Sequence, residues 1–414
     1  MKKILAVILS TIMVCSISVI AYADKQKAYS GQVVPEDPVS LFIESLDKSL
    51  KAGTYLDNSG EFVLAVTDLE KANSLIAKAN LPTKIKVVEV EYSMAELEAA
   101  RDKLFNNSQN FDIQIVALDA SKNGLAVFTS DYSDTNKKSI SNYVATSTNK
   151  TYDTQNSNKG RTQKMDVVFY NNKATSVPAM TNRFNDSENS SALSAKALST
   201  VKSGVYLKHN QYSNAESTVG WRISVNGVTG YTTCGHNWSA NSNSYYESNL
   251  LGKVSKNFFG PRNNTDVSFI PSNVPFYGMR GDGKKITHAG SPVQGGTIIF
   301  DGARHYQDVK SGEKRIRAKI TATDGIAYMT DTLGRSATLT DMIVFDDQPW
   351  FGDSGAAIIQ ERDGKVILVG FNSCQYKGPK DDPNSTTQWS YGAAVTWVSV
   401  RDALGGSSVV LPMN

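Results

Sequence analysis

The sequence predicts two unlike parts: a small α/β unit over residues 24–130 and an all-β domain over 201–414, joined by a polar extension and linker over 131–200. Three observations carry this. Before residue 130, apolar residues at helical spacing alternate with short apolar runs. From 131 to 200, 30 of the 70 residues are Ser, Thr or Asn. From Val201 onward short apolar runs alternate with Gly, Asn and Asp turns, and no helical pattern appears before Val398–Leu404; that is the mark of a barrel or sandwich. With 414 residues, 40% of them hydrophobic, the chain has the material for sizeable cores. Lys+Arg 43 against Asp+Glu 40 leaves +3, which gives no electrostatic case for nucleic acid.

Residues 1–23 read as an export signal: Lys2 and Lys3, an apolar run from Ile4 to Ile20, then Ala21-Tyr22-Ala23 for cleavage. Val14 stands before Cys15 where a lipoprotein site wants a small residue. No later stretch approaches the roughly 18–20 apolar residues of a membrane span. The expectation is a secreted, soluble chain with no membrane contact after signal removal. It would keep Cys234 and Cys374, and export permits a disulfide between them as readily as two buried thiols.

In the first unit, Leu41, Ile43, Leu46 and Leu50 predict a helix over Ser40–Leu50. Phe62–Val66 reads as a strand, Leu69–Ala79 as a helix before Pro82, and Ile85–Val90 as a second strand. Ser93 and Glu96 form a capping box for a helix over Met94–Leu104. Ile113–Leu118 and Leu125–Phe128 flank Asn123-Gly124, a hairpin signal. In the polar stretch only Met165–Tyr170 looks like a strand, and Ala174–Thr200 reads as exposed linker.

The sharpest chemical feature is Gly352-Asp353-Ser354-Gly355-Ala356. A serine on such a turn can present its hydroxyl beside converging backbone N–H groups, although Asp-Ser-Gly also makes ordinary turns. A nucleophilic serine needs a histidine base and an orienting carboxylate. The four histidines, His209, His236, His288 and His305, all precede Ser354. That excludes the α/β-hydrolase order, in which histidine follows serine. His236 ends the run Val228–His236, and Asp266 opens the apolar run Val267–Ile270. A structural histidine and a strand-start aspartate are the bland readings of these two. No H-E-x-x-H exists, and three cysteines are too few for a zinc cage, so no metal or cofactor is expected.

The order His236, Asp266, Ser354 on an all-β chain resembles the chymotrypsin-like serine peptidases, above all the secreted bacterial streptogrisin and α-lytic type. Gly230-Tyr231-Thr232-Thr233-Cys234-Gly235-His236 looks like the family's histidine strand. Asn264-Thr265-Asp266-Val267-Ser268-Phe269-Ile270 is similar to its aspartate strand, and Gly352–Ala356 to its serine loop. Val366–Val369 with Gly370-Phe371-Asn372-Ser373 looks like the strand that follows. The resemblance covers roughly Val201–Asn414. Two departures stand out: Asn237 rather than cysteine follows the histidine, so the usual histidine-loop disulfide is absent, and Ala356 replaces a glycine.

The resemblance implies two antiparallel β-barrels and serine endopeptidase activity through an acyl-enzyme. Ser354 would be the nucleophile, His236 the base and Asp266 its orienter, with the Gly352 and Ser354 N–H groups as oxyanion hole. Ser373 would support the aspartate and bind extended substrate. His209, His288 and His305 take no catalytic part. Residues 24–200 would be a pro-segment, cut between Ser194 and Gly204, and Tyr92–Leu97 with Ala99-Ala100-Arg101 is similar to a helix of such segments. Partners would be protein or peptide substrates and the chain's own pro-segment, the enzyme being a monomer. Specificity stays open. Asp346 or Asp347 in the primary pocket would select basic side chains, whereas Gln348 with Trp350 and Phe351 would select large apolar ones. The family's glutamate-specific members have a histidine after the serine, which argues against acidic preference here. The competing reading is a catalytically inactive member serving as a secreted binding protein.

Overall fold

The computed structural model describes residues 31–149, 164–171, 177–178, 199–209, 216–246, 249–303, 315–331, 334–347, 349, 352–377 and 390–413. The export signal and most of the expected linker lie outside these residues.

The N-terminal part begins with helix α1 (Pro38–Ser45), capped by the Asp37 carboxylate. Strands β1 (Lys51–Leu56) and β2 (Phe62–Val66), helix α2 (Leu69–Ala79) and strand β3 (Lys86–Glu89) follow, and the three strands form one sheet. Helix α3 (Met94–Phe105) carries both arms of the Ser93/Glu96 capping box. Strands β4 (Ile113–Asp119) and β5 (Gly124–Thr129) make the expected hairpin, with Asn123 at φ 49 in its turn. Three expectations need correction. The first helix ends at Ser45 because Leu46 turns extended, leaving Leu50 to precede strand β1, which the pattern did not show. The polar stretch holds helix α4 (Asp134–Asn149), whose Ile140 and Val144 are buried at helical spacing while its Ser and Thr face outward or bond back to earlier carbonyls. Strand β6 (Asp166–Asn171) follows as expected, but Val177–Pro178, inside the run expected to be exposed linker, forms a short strand β7 because its backbone pairs with β23.

The all-β domain continues with β8 (Val201–Ser203), β9 (Tyr206–His209), β10 (Glu216–Thr218), β11 (Arg222–Val225), β12 (Val228–Thr233), β13 (Asn243–Tyr246), β14 (Asn249–Lys253), β15 (Lys256–Asn257), β16 (Ser268–Pro271) and β17 (Phe276–Met279). Next come β18 (His288–Ala289), β19 (Thr297–Phe300), β20 (Ile316–Thr330), β21 (Ser336–Phe345), β22 (Ala357–Arg362), β23 (Lys365–Lys377) and β24 (Ser390–Thr396). Helix α5 (Trp397–Leu404) and strand β25 (Val409–Val410) close the chain.

The pairing gives two barrel units. Strands β19-β22-β23-β24-β21-β20 run in that order, and β20 pairs back onto β19, closing a six-stranded barrel. Its interior holds Ile298, Phe300, Ile343, Phe345, Ile358 and Val369, all essentially inaccessible. The other unit is a half-barrel of two sheets, β15-β16-β12-β11-β25 and β10-β9-β13-β14, around Trp221, Tyr231 and Phe269. This is the two-barrel, chymotrypsin-like architecture that the resemblance implies.

The N-terminal part is not merely tethered to these barrels. Strand β4 pairs antiparallel with β20, so β4, β5 and β6 extend the sheet of the closed barrel. Ile115, Ala117, Ala126 and Phe128 then cover Met329, Leu339, Met342, Val344 and Ala393 on the barrel's outer face. Farther back, Asp37 pairs with Arg362 at 2.7 Å and Lys365 at 2.6 Å, and Glu36 accepts from Trp397 Nε1 at 3.2 Å.

Candidate active site

Strand β12 delivers His236, and its antiparallel partner β16 follows directly on Asp266. The register Thr233↔Ser268 therefore turns a spacing of 30 residues into contact. Asp266 Oδ1 accepts the backbone N–H groups of Gly235 and His236 at 2.7 and 2.8 Å. Its Oδ2 lies 2.7 Å from His236 Nδ1 and accepts a short hydrogen bond from Ser373 Oγ. Both oxygens are thus spent on fixing one histidine.

Ser354 sits on a turn of the closed barrel that meets the half-barrel edge-on. Its carbonyl accepts Thr218 N–H at 2.7 Å, and Thr218 Oγ1 donates to the Gly352 carbonyl at 2.7 Å. Gly355 has φ 92, and a Cβ there would stand 2.6 Å from Cys234 N. Conformation and close approach both demand glycine where the serine turn abuts the histidine strand. No acceptor engages the N–H groups of Gly352 or Ser354 among the described residues.

The fold thus brings His236, Asp266, Ser373 and Ser354 into one inaccessible cluster. One contact is missing. Ser354 Oγ donates to the Ser373 carbonyl at 3.1 Å, and His236 Nε2 has no hydrogen-bond partner among the described residues. The serine–imidazole hydrogen bond is not made, and such catalytic bonds often tighten only when substrate is bound.

The electrostatics suit a base held by a carboxylate. Burial disfavours the charged form of His236, but the Asp266 carboxylate, with a smaller contribution from Cys234, outweighs it and raises the histidine well above its usual 6.5. Asp266 is lowered: its burial opposes ionisation, and the imidazole and hydrogen bonds overcome that. Only the neutral imidazole accepts a proton, so activity depending on His236 should rise with pH through a midpoint above 6.5. A kcat/KM profile flat across pH 5 to 8, the range of histidine titration, would contradict this role.

Other sequence candidates fare differently. Gln348, Trp350, Phe351 and His305 lie outside the described residues. His288 sits on β18, partly exposed, with Nδ1 3.0 Å from Thr287 Oγ1. The disulfide is not formed: Cys234 and Cys374 are both buried and not bonded to each other. The reason is topological, for Cys234 packs into the half-barrel core and Cys374 into the core beneath the β4–β5 hairpin. Sequence reasoning missed Thr218, Asn257 and Arg335, which hold the two loops by bonds to backbone carbonyls. Nothing in a single sequence marks such partners. Among the described residues there is no His/Cys/Asp/Glu group able to hold a metal ion, and no helix long and apolar enough to cross a membrane.

No family model matches the chain, and no curated protein matches it. Among solved structures it is similar to the Nocardiopsis protease NAPase, at 14% identity and TM-score 0.37, covering 52% of this chain and 100% of that one. Thermobifida fusca protease A gives 14% and 0.36, covering 52% and 100%. Cellulomonas bogoriensis chymotrypsin gives 16% and 0.35, covering 52% and 98%.

Proposed function

We propose that the chain is a secreted serine endopeptidase made as a precursor. The observation carrying this is the buried His236–Asp266 pair at 2.7 Å, joined through Ser373 to the serine of the tight Gly-Asp-Ser-Gly turn. Ser354 Oγ attacks a peptide carbonyl while His236 Nε2 takes its proton. The Gly352 and Ser354 N–H groups receive the developing oxyanion, and His236 returns the proton to the leaving amine. Water then hydrolyses the acyl-enzyme by the same route. Casein hydrolysis abolished by a sulfonyl fluoride is the expected result. A folded, secreted chain with no hydrolysis would favour the inactive binding protein, a reading that the bond from Ser354 to the Ser373 carbonyl keeps in view.

The precursor reading draws support from β7. Val177 and Pro178 pair antiparallel with Gln375 and Cys374, next to Ser373, on the strand edge where the resemblance places extended substrate. A segment lying there competes with substrate until the chain is cut. N-terminal sequencing of the active secreted enzyme should find a start between Ser194 and Gly204. A start at Asp24 with full activity would show that the N-terminal part is a permanent domain.

A further inference from the structure

We infer that Arg335 is a positioning residue for His236: a guanidinium clamp, supplied by the serine-bearing barrel, that holds the histidine turn where other members of the resembled family have a disulfide. The proposal rests on the peptidase reading above.

Arg335 follows the tip of the long β20–β21 hairpin. Asp331, buried on the same tip, takes its Nε at 2.6 Å and its backbone N–H at 2.7 Å, fixing the direction of the guanidinium. The remaining donors reach across to the other barrel. Nη1 donates to the Trp238 carbonyl at 2.8 Å, and Nη2 to the His236 carbonyl at 2.8 Å and the Gly235 carbonyl at 3.4 Å. The guanidinium also lies 5.6 Å over the ring of Phe259, whose edge-to-face partner is the His236 imidazole, with centroids 5.9 Å apart.

The histidine turn is therefore gripped from two sides. Asp266 Oδ1 holds its N–H groups, while Arg335 and Asn257 Nδ2 hold its carbonyls. The two grips differ in origin. Asp266 and Asn257 belong to the half-barrel, and of the two Asp266 also accepts a bond from Ser373 Oγ of the other barrel. Arg335 comes from the barrel that carries Ser354 and grips the backbone of the turn itself, so together with Ser373 it sets the distance between base and nucleophile across the interface. A planar fork of several donors suits this task, whereas lysine offers a single rotating head. Displacing a catalytic group by about 1 Å costs on the order of 10²-fold in rate, which makes the register of the two barrels a kinetic quantity.

The test compares Arg335→Ala and Arg335→Lys with the native chain as secreted, all shown folded by near-ultraviolet circular dichroism. For Arg335→Ala, kcat on a peptide ester should fall on the order of 10²-fold with KM changed less than about twofold. Added guanidinium ion, at millimolar concentration, should restore part of the loss saturably. Arg335→Lys should fall between the two and keeps the test open where the alanine variant does not fold. Unchanged kcat in a folded variant, or a loss confined to KM, overturns the proposal. If the native chain hydrolyses nothing, the peptidase reading fails on its own. The clamp is then read by proton NMR, as faster solvent exchange of the His236 Nδ1 proton in Arg335→Ala, and unchanged exchange rejects it.

Discussion

Ser354→Ala is expected to lower kcat by about 10⁴–10⁶ while leaving the fold intact. The hydroxyl makes one hydrogen bond, to the Ser373 carbonyl, and the turn around it is held by backbone contacts that alanine keeps: Thr218 N–H on its carbonyl and the bonds between Gly355, Ala356 and Asn372. Removing the hydroxyl thus deletes the nucleophile without opening a cavity of any size. His236→Ala should be about as damaging, because the members of a triad act as a unit and the loss of one disables the rest. Turnover of a peptide substrate, with folding checked by circular dichroism, decides the matter. Either variant retaining more than a few per cent of native kcat while folded would sink the assignment.

Asp266→Asn should be the next most severe change, at about 10⁴-fold in kcat. Asp266 faces two kinds of donor: the N–H groups of Gly235 and His236 on Oδ1, and His236 Nδ1–H with Ser373 Oγ on Oδ2. An asparagine keeps its carbonyl oxygen on the two backbone N–H groups and turns its amide nitrogen toward the ring. That nitrogen donates, so Nδ1 must accept and the imidazole proton moves to Nε2. The tautomer is then wrong for a base, although the site's shape survives. The variant should also lower the titration of His236, since the carboxylate is the largest of the groups that raise it. A folded Asp266→Asn protein within tenfold of native kcat would show that the carboxylate does not orient the base.

By itself the sequence determined the elements whose cause is local and the residues whose chemistry is rare. The capping box of α3, the Asn123-Gly124 hairpin and the buried run of β2 follow from side-chain period and turn chemistry, both written in adjacent residues. With four histidines in the chain, all ahead of the serine, His236 was a short choice. Its pairing with Asp266 and the nearness of Ser373 then emerged in the fold. What joins distant segments through the backbone left no such trace. The β4–β20 pairing that extends the closed barrel, and the seat of β7 on β23, rest on N–H and C=O groups that every residue carries. Helix α4 was hidden because two buried apolar positions among many Ser, Thr and Asn residues look like linker until a surface exists to bury them. Arg335 was one arginine among many until the hairpin carried it to the histidine turn. Only the tertiary structure decided that the two thiols face different cores, and that Ser354 rests on the Ser373 carbonyl rather than on His236: rotamers and core faces are set by packing, which a linear pattern does not contain.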